Sequence, residues 1–504
     1  MTKLIPSPQQ QVVYDWVTSG TGNAVLEAVA GAGKTTTLVE AVKLMTGSVA
    51  FAAYNKKIAV EIQERVSRTT TAAQVRAGTF HSFGFQAWKK VAPKVRVDDR
   101  KTLSIMDDFK IPEKGQSFVK QLVSLAKQYA IGFLSSTEDA AAWMQIVNHF
   151  SLEELLDEEE TMSLTVDEGI DWARKVLKQS IALDTELIDF DDMIYAPLVH
   201  NARMWQNDWV LVDEAQDTNP ARRALAKKML RPGGRLIAVG DPHQAIYGFT
   251  GADADSLLII EREFSAITLP LTVTYRCPKE VVRLAQQWVH HITAHESSPE
   301  GEVRSIGYNE FTTGSFEPTD VILCRNTKPL VELAYLFLRR GIPCHVEGRE
   351  IGKGLLALVN RWKVKSLPAL RDKLESWHGK EVQRLLAKGQ EQKAGTVTDK
   401  VDTLFVIIDS LPVGADVNDL RSRIESLFTD SDPSAPQSRL TLSTIHKAKG
   451  REWERVYWFG RNRWQPSKFA RQEWQMEQEV NLMYVAATRA KHALIDVLVP
   501  AKSE

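Results

Sequence analysis

The sequence predicts an α/β protein with two domains, each built on a parallel sheet and each interrupted by a mainly helical insertion. Three observations support this prediction. A chain of 504 residues exceeds what a single hydrophobic core usually serves. Short, nearly continuous apolar runs, followed by turn residues and helix-like patterns, recur in both halves, which is typical of parallel strands buried on both faces. Two further stretches have helical periodicity instead.

The apolar runs indicate where the strands lie. In the first half they are residues 23–29, 48–54, 208–215 and 235–241, and in the second half 320–326, 439–446, 455–460 and 493–499. Short runs rich in β-branched residues and bounded by turn residues favour strands over buried helices. Trp458 alternates with Tyr457 inside one run, so we expect a core position for it.

The helical stretches are the predicted insertions. In QSFVKQLVSLAKQYA, one helix face is apolar and the other is polar. The apolar side chains are Phe118, Leu122, Leu125 and Tyr129, and those expected to point away are Lys120, Ser124, Lys127 and Gln128. The second stretch contains the amphipathic segments LRDKLESWHGKEVQRLLAKG and VNDLRSRIESLF. The predicted organisation is a first domain at 1–90 and 185–270 with an insertion at 91–184, and a second domain at 271–365 and 436–504 with a short insertion at 366–435.

Composition excludes several classes of protein. The hydrophobic fraction of 43% and the charged fraction of 25% are those of an ordinary globular chain. The three cysteines have no CxxC spacing, which argues against a disulfide framework or a zinc site and favours a reducing cytoplasm. MTKLIPSPQQQ lacks the apolar segment of a secretory signal, and the sequence has no apolar run of about 18 residues, so we expect no membrane partner. With a net charge of -1, any polyanion would need a local basic surface.

The segment AVAGAGKTTTL has the parts of a phosphate-binding loop. Gly31 and Gly33 allow a tight turn after an apolar strand, Lys34 supplies charge for the terminal phosphates, and Thr35 supplies a hydroxyl for Mg²⁺. Ala28 stands where the full GxxxxGK[ST] pattern has its first glycine. Taken by itself, the segment leaves an unrelated turn as an alternative.

A second segment, DWVLVDEAQDTN, places two carboxylates at a strand end. Its apolar strand ends at Asp213 and Glu214, a pattern that sets one carboxylate beside Mg²⁺ and the other near the water that attacks the γ-phosphate. A solvated acidic strand end would explain either carboxylate singly, but it explains the pair poorly. The two motifs together predict nucleotide hydrolysis.

Three further polar residues are candidates for contact with the γ-phosphate. Gln244 follows another apolar strand in VGDPHQAIYGFTGAD, and its neutral amide can bond to a phosphate oxygen. Arg276 in TYRCP and Arg489 in YVAATRAK are candidates for positive charge at the transition state. Either arginine, considered singly, is also compatible with an ordinary surface position.

Seven motifs occur in order along nearly the whole chain. They are AVAGAGKTTTL, AGTFHSF, DEAQDTN, GDPHQAIYGFTGA, TYRCP, STIHKAKGREW and EVNLMYVAATRAK. This series resembles the superfamily 1A DNA helicases of the UvrD, Rep and PcrA type, and HKAKG with NLMYVAATRA looks especially like the F-box DNA helicase branch. The resemblance implies two RecA-like P-loop NTPase domains with ATP in the cleft between them, Mg²⁺ as the metal, and 3′ to 5′ movement along single-stranded DNA.

The resemblance also implies roles for individual residues around ATP. The expected phosphate-binding residues are Ala28, Val29, Ala30, Gly31, Ala32, Gly33, Lys34, Thr35 and Thr36. The expected contacts to the base and ribose are Gln10, Tyr275 and Glu452. The expected catalytic residues are Lys34, Asp213, Glu214, Gln244, Arg276 and Arg489, with Thr35 and Asp213 holding the metal. A small residue other than Gly is common in this family at the position of Ala28.

For the DNA strand, the resemblance implies contacts from Asn55, Lys56, Thr79, His81, Phe249 and His446. Phe249 falls where the family has a Trp that stacks on a base, and a Phe ring also offers a π-face. In FAAYNKKIA, Ala53 stands where the family usually has Phe, and an aromatic occurs instead at Tyr54. A stacking role for this segment therefore stays open.

These features predict an ATP-dependent 3′ to 5′ single-stranded DNA translocase and DNA helicase in the cytoplasm. Its expected partners are single-stranded DNA and partial-duplex DNA, and a protein loading partner is a further candidate. One alternative is a DNA-stimulated ATPase that removes proteins from single strands, or works within a larger complex, without unwinding alone. A non-catalytic nucleotide-gated binding module is a third hypothesis, which the set of candidate catalytic residues argues against.

Two further expectations concern the substrate and the chain end. RNA differs from DNA at such a site only through the 2′-OH, so the preference for DNA follows from the resemblance alone. Residues 491–504 are the only ones after the last motif, so we expect no nuclease domain.

Overall fold

The chain forms two compact units, Met1–Thr272 and Val273–Glu504, in a computed structural model. The structure describes residues 5–68, 71–150, 152–156, 164–248, 255–340, 342–387, 391–429, 439–468, 470 and 472–500. Within these residues, no helix combines the length and the apolar character needed to cross a bilayer. The cysteines Cys277, Cys324 and Cys344 are buried and unbridged.

The first unit alternates strands and helices. Its strands are β1 (Asn23–Ala28), β2 (Thr46–Ala53), β3 (Ala72–Thr79), β4 (Arg96–Val97), β5 (Leu187–Ile188), β6 (Asn207–Val212), β7 (Leu230–Gly240) and β8 (Ala266–Leu271). Its helices are α1 (Pro8–Ser19), α2 (Lys34–Val42), α3 (Lys56–Ser67), α4 (Phe80–Val91), α5 (Lys101–Asp108), α6 (Glu113–Gln128), α7 (Ala140–His149), α8 (Val166–Leu183), α9 (Asp192–Val199), α10 (Pro220–Met229) and α11 (Ser256–Glu263). Short 3-10 helices span Leu152–Leu155, Ala215–Asp217 and Pro242–Gln244.

A parallel six-stranded sheet with the order β3-β2-β6-β7-β1-β8 forms the centre of the first unit. Its inner strands carry the apolar runs expected from the sequence, and Val25, Leu211 and Ala238 are among their buried side chains. Strands covered on both faces are apolar at successive positions, which is why these runs do not alternate. The α/β class and the strands expected in this half are confirmed.

Helices α5, α6, α7 and α8 pack around a separate apolar core. Phe118, Leu122 and Leu125 of α6 lie in this core with Trp143 of α7 and Val176 of α8. The apolar face predicted for α6 is therefore confirmed.

The polar face predicted for α6 is wrong at Lys127. This side chain is only 1% exposed, and its Nζ lies 2.6 Å from Asp189 Oδ2 and 2.7 Å from Asp192 Oδ1. Lys120 is exposed, as expected. The segment that leads into α9 covers part of the polar side of α6, so Lys127 is buried against carboxylates instead of facing water.

The second unit has the same alternating plan. Its strands are β9 (Val273–Thr274), β10 (Thr293–Ala294), β11 (Glu302–Gly307), β12 (Val321–Cys324), β13 (Cys344–Glu347), β14 (Phe428–Thr429), β15 (Leu440–Thr444), β16 (Trp453–Phe459) and β17 (Ala490–Leu498). Its helices are α12 (Lys279–Ala285), α13 (Tyr308–Thr313), α14 (Thr327–Arg339), α15 (Arg349–Asn360), α16 (Leu367–Ala387), α17 (Glu391–Asp409), α18 (Val417–Leu427), α19 (Ile445–Ala448), α20 (Arg461–Trp464) and α21 (Glu473–Ala487).

A parallel seven-stranded sheet with the order β11-β17-β16-β12-β15-β13-β14 forms the centre of the second unit. The strands expected in this half are confirmed, and Trp458 is fully buried, as predicted. Leu370 of α16, Leu404 of α17 and Leu420 of α18 belong to the same apolar cluster as the sheet residues. The amphipathic segments of the second insertion are thus helices that pack on this unit.

Candidate functional site

The candidate phosphate-binding loop connects β1 to α2 at the carboxyl end of the first sheet. Gly31 and Gly33 have φ angles of 74° and 77°, in the left-handed region that glycine adopts without a steric penalty. Gly33 is the cap of α2, so the first turn of this helix directs its N–H groups and the positive end of its dipole at the loop. Ala28 is buried where β1 pairs with β8, and a small side chain fits there.

Two pairs of side chains join this loop to the end of β6. Lys34 Nζ lies 3.3 Å from Glu214 Oε1, and Thr35 Oγ1 donates a hydrogen bond to Asp213 Oδ2 at 3.3 Å. β1 and β6 both pair with β7 in parallel, so their carboxyl ends lie near one another on the same side of the sheet. The structure therefore brings together four residues predicted from two distant motifs.

The two carboxylates have different environments. Asp213 is 4% exposed, and burial with the neighbouring Glu214 raises the pKa of its carboxyl to about 7, although Lys34 acts in the opposite direction. Glu214 has a φ of 51°, which is uncommon for a residue other than glycine, and its carboxylate accepts a hydrogen bond from Gln216 Nε2. Glu214 is thus held by an ammonium group and by an amide.

The oxygen donors at this point suit Mg²⁺. Nucleotide-bound Mg²⁺ usually takes one or two protein oxygens and completes its shell with phosphates and water. The Thr35 hydroxyl and the buried Asp213 carboxylate supply such oxygens, and a cation beside Asp213 would offset the burial of its charge. In the part of the chain that the structure describes, no group of three or more His, Cys, Asp or Glu side chains is placed to hold a metal, and a site completed by phosphates does not need one.

Gln10, the predicted adenine contact, lies near the start of α1. Gln10 N donates to Ser7 Oγ, and Ser7 N donates to Gln10 Oε1, which together form a capping box. Gln10 Nε2 donates to Thr37 Oγ1 of α2 at 3.1 Å. The neighbouring Gln9 accepts from Thr272 N at 2.8 Å and donates to Thr272 Oγ1 at 2.9 Å. The start of α1 is thus bound both to α2 and to the last residue of the first unit.

Gln244, the predicted γ-phosphate contact, lies in the turn after β7. Its Nε2 donates to Asp241 Oδ2 at 2.6 Å, and the side chain is buried. Asp241 N donates to Gln216 Oε1 at 3.1 Å, and Gln216 Nε2 donates to Glu214. A continuous hydrogen-bonded chain therefore links Gln244 to Glu214.

In the second unit, Arg276 is paired with Glu452. Arg276 Nε lies 2.6 Å from Glu452 Oε2, and Lys491 Nζ lies 2.7 Å from Glu452 Oε1. Burial acts to raise the pKa of Glu452, but these two cations lower it. Tyr275 is 43% exposed, and its ring centroid lies 4.8 Å from that of His295. The ring is supported on one side and has exposed surface for stacking.

Arg489 is the more buried of the two predicted arginine fingers, at 1% exposure. Its guanidinium group donates to Val485 O at 3.0 Å, to Arg451 O at 3.1 Å and to Thr488 Oγ1 at 3.3 Å. Arg276 Nη1 donates to Thr488 O at 3.4 Å. The structure therefore brings the two arginines together around Thr488.

Several predicted DNA contacts also have local structural roles. Asn55 caps α3 by accepting a hydrogen bond from Ile58 N, and Thr79 caps α4. Lys56 is exposed at the start of α3. Phe249 lies outside the described residues.

The two histidines predicted to contact DNA are uncharged near neutral pH. Burial, with a smaller effect of Arg222, lowers the pKa of His81 to about 3. Burial also lowers the pKa of His446 to about 3, with smaller effects of Arg325 and Lys449. A neutral imidazole can stack or hydrogen-bond, but it adds no positive charge to a DNA-binding surface.

Sequence reasoning missed Phe190, which is 54% exposed and stacks on His81 with ring centroids 4.0 Å apart. Tyr54 stacks on Tyr247 with ring centroids 6.0 Å apart and an interplanar angle of 12°. Both pairs lie near the half-buried Arg222, which interacts with Tyr54 and His81. We refer to Tyr54, His81, Phe190 and Tyr247 as the aromatic surface. A lone aromatic among the acidic residues of LIDFDDM was the available signal for Phe190.

Sequence reasoning also missed most partners of the predicted residues. These partners are Thr37, Arg65, Gln216, Asp241, Thr488 and Lys491. Arg65, for example, donates to the hydroxyl of Thr36 at 3.1 Å. Their residue types carry no distinctive signal, because a role as a partner depends on contacts between segments that are distant in sequence.

Comparison with protein-family models gives two matches. Residues 9–265 match the UvrD/REP helicase N-terminal domain, and residues 353–498 match the UvrD-like helicase C-terminal domain. The first match alone covers more than half of the 504 residues.

Curated relatives include helicases from bacteria and from a yeast. The chain is 26% identical to the ATP-dependent DNA helicase Rep of Escherichia coli over 55% of this chain and 42% of Rep. It is 26% identical to the ATP-dependent DNA helicase PcrA of Staphylococcus epidermidis over 56% of this chain and 39% of PcrA. It is 24% identical to F-box DNA helicase protein 1 of Schizosaccharomyces pombe over 98% of this chain and 57% of that protein.

The chain thus spans about two fifths of the length of the bacterial relatives. Each unit nevertheless contains a family-model match, and the loop and carboxylate geometry lies inside the N-terminal match. The chain belongs to the UvrD/REP helicase family.

Proposed function

We propose that this chain is an ATP-dependent 3′ to 5′ translocase on single-stranded DNA and a DNA helicase. The observation that carries the proposal is the meeting of Lys34 and Thr35 with Glu214 and Asp213 at the carboxyl end of one parallel sheet. Transfer of a phosphoryl group to water needs a cation for the phosphates, oxygen ligands for Mg²⁺ and a carboxylate near the attacking water. Family membership supports the proposal, since Rep and PcrA are named ATP-dependent DNA helicases.

In this proposal, residues 28–36 surround the phosphates and Lys34 exchanges its contact with Glu214 for the terminal phosphate oxygens. Thr35 and Asp213 hold Mg²⁺, which when bound would neutralise charge that develops on the phosphates. The proposed contacts to the base and the ribose are Gln10, Tyr275 and Glu452. The exposed ring of Tyr275 is suited to stacking on adenine.

Glu214 is the proposed group that orients or deprotonates the attacking water. Its hydrogen-bonded connection through Gln216 and Asp241 gives Gln244 a physical route to report contact with the γ-phosphate. Arg276 and Arg489 are the proposed fingers that stabilise charge in the transition state. For Arg489, this role requires the exchange of at least one of its present hydrogen bonds for a phosphate oxygen.

We also propose that the aromatic surface binds the single strand by stacking. Base-aromatic stacking tolerates any sequence, because every base has a π-face. The neutral state of His81 suits stacking on Phe190 or on a base better than it suits pairing with a phosphate. Further proposed strand contacts are Asn55, Lys56, Thr79, Phe249 and His446.

The alternative is a DNA-stimulated ATPase that removes proteins from single strands, or serves a larger complex, without unwinding alone. Its support is that the similarity reaches only 42% of Rep and 39% of PcrA, so it does not extend to the rest of either helicase. A protein loading partner belongs to this alternative. For either function we propose the cytoplasm as the site of action, supported by the three unbridged cysteines.

ATP turnover and strand displacement on 3′-tailed, 5′-tailed and RNA-containing duplexes test the proposal. We expect turnover stimulated by single-stranded DNA and unwinding of the 3′-tailed DNA duplex. Lys34→Ala should abolish turnover, whereas Lys43→Ala should not, because Lys43 forms an exposed pair with Glu40 at the end of α2. Turnover without unwinding would support the alternative, and undetectable turnover with single-stranded DNA present would contradict both.

A further inference from the structure

One side of α6 holds the short segment that carries Phe190. Lys127 Nζ lies 2.6 Å from Asp189 Oδ2 and 2.7 Å from Asp192 Oδ1. One turn earlier on the helix, Ser124 Oγ donates to Asp191 Oδ2 at 2.5 Å. We refer to Ser124 and Lys127 as the α6 clamp and to residues 189–192 as the acidic turn. The clamp contacts each carboxylate of the turn.

The acidic turn is also fixed by α5 and by its own backbone. Lys101 Nζ lies 2.8 Å from Asp192 Oδ2, and it also pairs with Asp184, which follows α8, at 2.6 Å. Asp189 N donates to Asp192 Oδ2 at 2.9 Å, and Asp192 N donates to Asp189 Oδ1 at 3.0 Å. Thr102 Oγ1 donates to Asp189 Oδ2 at 3.1 Å. Each of these contacts restricts the same turn.

The burial of these ion pairs indicates that their role is to fix the position of the acidic turn. The side chains of Lys101, Asp184 and Asp192 are fully buried, and Lys127 is nearly so. A buried ion pair is often no more stabilising than apolar side chains of the same volume, because the charges lose their hydration. Its geometry is nevertheless strict, since each charge needs its partner at close range. The cluster is therefore better explained by the position it imposes than by the stability it adds.

The position that is imposed is that of Phe190. Its carboxylate neighbours Asp189 and Asp191 are turned towards α5 and α6, while Phe190 is exposed and stacks on His81. His81 lies in α4, which directly follows β3 of the central sheet. The acidic turn thus places the Phe190 ring against the ring of His81 in α4.

We propose that the α6 clamp is a positioning device that presents Phe190 to single-stranded DNA. The inference rests on the proposed role of the aromatic surface in strand binding. It adds that the helical segment containing α6, which contributes no ring to that surface, sets its geometry. Lys127 and Ser124 are positioning residues, because they act through the acidic turn and do not themselves contact the strand.

The test compares Lys127→Met and Ser124→Ala with Phe190→Ala and with the matched control Lys120→Met, an exposed lysine of the same helix. Binding of a fluorescein-labelled oligothymidylate is measured by anisotropy, together with DNA-independent ATP turnover and thermal unfolding. Loss of one base-aromatic stack corresponds to about 5- to 150-fold weaker binding, which is the range expected for Phe190→Ala. Lys127→Met should weaken binding roughly 5-fold or more within that range, and Lys120→Met should bind like the unmodified chain.

The double variant Lys127→Met/Phe190→Ala separates positioning from general destabilisation. If the clamp acts through Phe190, the double variant binds no more weakly than Phe190→Ala alone, because the two changes remove one interaction. Additive losses would overturn the inference, as would binding by Lys127→Met equal to that of Lys120→Met. Ser124→Ala keeps the ion pairs, so it replaces Lys127→Met if that variant fails to fold, and the same comparison then applies.

The outcomes also separate this inference from the proposed function. Weak binding by Phe190→Ala with normal binding by both clamp variants overturns the clamp and leaves the aromatic surface intact. Normal binding by Phe190→Ala overturns the role of Phe190 in the aromatic surface and the clamp with it. An unmodified chain that fails to bind the oligothymidylate overturns the DNA function itself.

Discussion

Lys34 and Glu214 form an ion pair in which the ammonium nitrogen lies 3.3 Å from a carboxylate oxygen. The pair joins the residue proposed to bind the terminal phosphates to the residue proposed to activate water. A phosphate group competes with Glu214 for Lys34. Nucleotide binding would therefore free the Glu214 carboxylate to interact with the attacking water. This exchange gives the first prediction.

Glu214→Gln should lower kcat for ATP hydrolysis by about 100- to 10,000-fold, the usual contribution of a general base. Nucleotide affinity should be retained, because the neutral amide competes less well than the carboxylate for Lys34. Phosphate release and binding of a fluorescent ATP analogue measure the two effects. Glu40→Gln is the control, since the Glu40 carboxylate pairs with Lys43, which lies outside the candidate site. Unchanged turnover in Glu214→Gln would contradict the assignment.

Arg276→Ala should lower kcat by about 1,000- to 100,000-fold, the range for loss of an arginine finger. Glu452 keeps Lys491 as a partner in this variant, so the local charge pairing is only partly lost. The control is Arg283→Ala, which removes an exposed guanidinium paired with Glu280 of the same helix and with Glu300. Steady-state turnover at saturating ATP and DNA measures kcat in both variants. Equal kcat in the two variants would show that Arg276 is not a finger.

Gln9→Ala should raise KM for ATP while kcat changes little. The two hydrogen bonds between Gln9 and Thr272 fix the start of α1, where Gln10 lies, against the last residue of the first unit. Gln11→Ala is the matched control, because the exposed Gln11 donates a local hydrogen bond to Asp15, one turn later in α1. The comparison is made by ATP titration of turnover. A KM for Gln9→Ala that matches the control would refute a positioning role for Gln9.

Phe249→Ala should weaken single-strand binding by roughly 1–3 kcal/mol, the contribution of one base-aromatic stack. This prediction comes from the motif alone, because Phe249 lies outside the described residues. Anisotropy with a labelled single strand measures the DNA affinity, and nucleotide titration measures the ATP affinity. Loss of ATP affinity with normal DNA affinity would show that Phe249 had been assigned to the wrong ligand.

Acid should destabilise the fold through His81 and His446. Their pKa values are lowered from 6.5 to about 3 in the folded chain, so below about pH 6.5 the unfolded chain binds more protons than the folded chain. The stability that these neutral imidazoles contribute is complete above about pH 6.5 and is lost progressively as the pH falls towards 3.

Urea unfolding midpoints at about pH 7.5 and about pH 5 measure this effect. The midpoint should fall with pH in the unmodified chain and should fall less in His446→Gln, which has no imidazole to protonate at that position. The exposed His290 supplies the control His290→Gln. An equal pH dependence in His446→Gln and His290→Gln would rule out the contribution of His446.

Local patterns were enough to predict the strands, the loop and the paired carboxylates. Apolar runs buried on both faces of a sheet and the residue types of AVAGAGKTTTL and DWVLVDEAQDTN depend on interactions within a few residues or on family-wide motifs. The contact between Lys34 and Glu214 is a finding of the structure, in which β1 and β6 end on the same side of a parallel sheet. Thus the fold class and the centre of the candidate site were readable from the chain.

Only the tertiary structure decided the environment of Lys127. Helical periodicity assigns one apolar face and treats the other as solvated, but another segment covers the polar side of α6 with Asp189 and Asp192. The same limit applies to Phe190 and to Thr488, whose partners lie far away in sequence or carry no distinctive residue type. The sequence by itself determined which elements form and which residues can do chemistry. Long-range packing, which depends on how those elements meet in space, decided which charges are buried, which rings are exposed and what holds each of them in place.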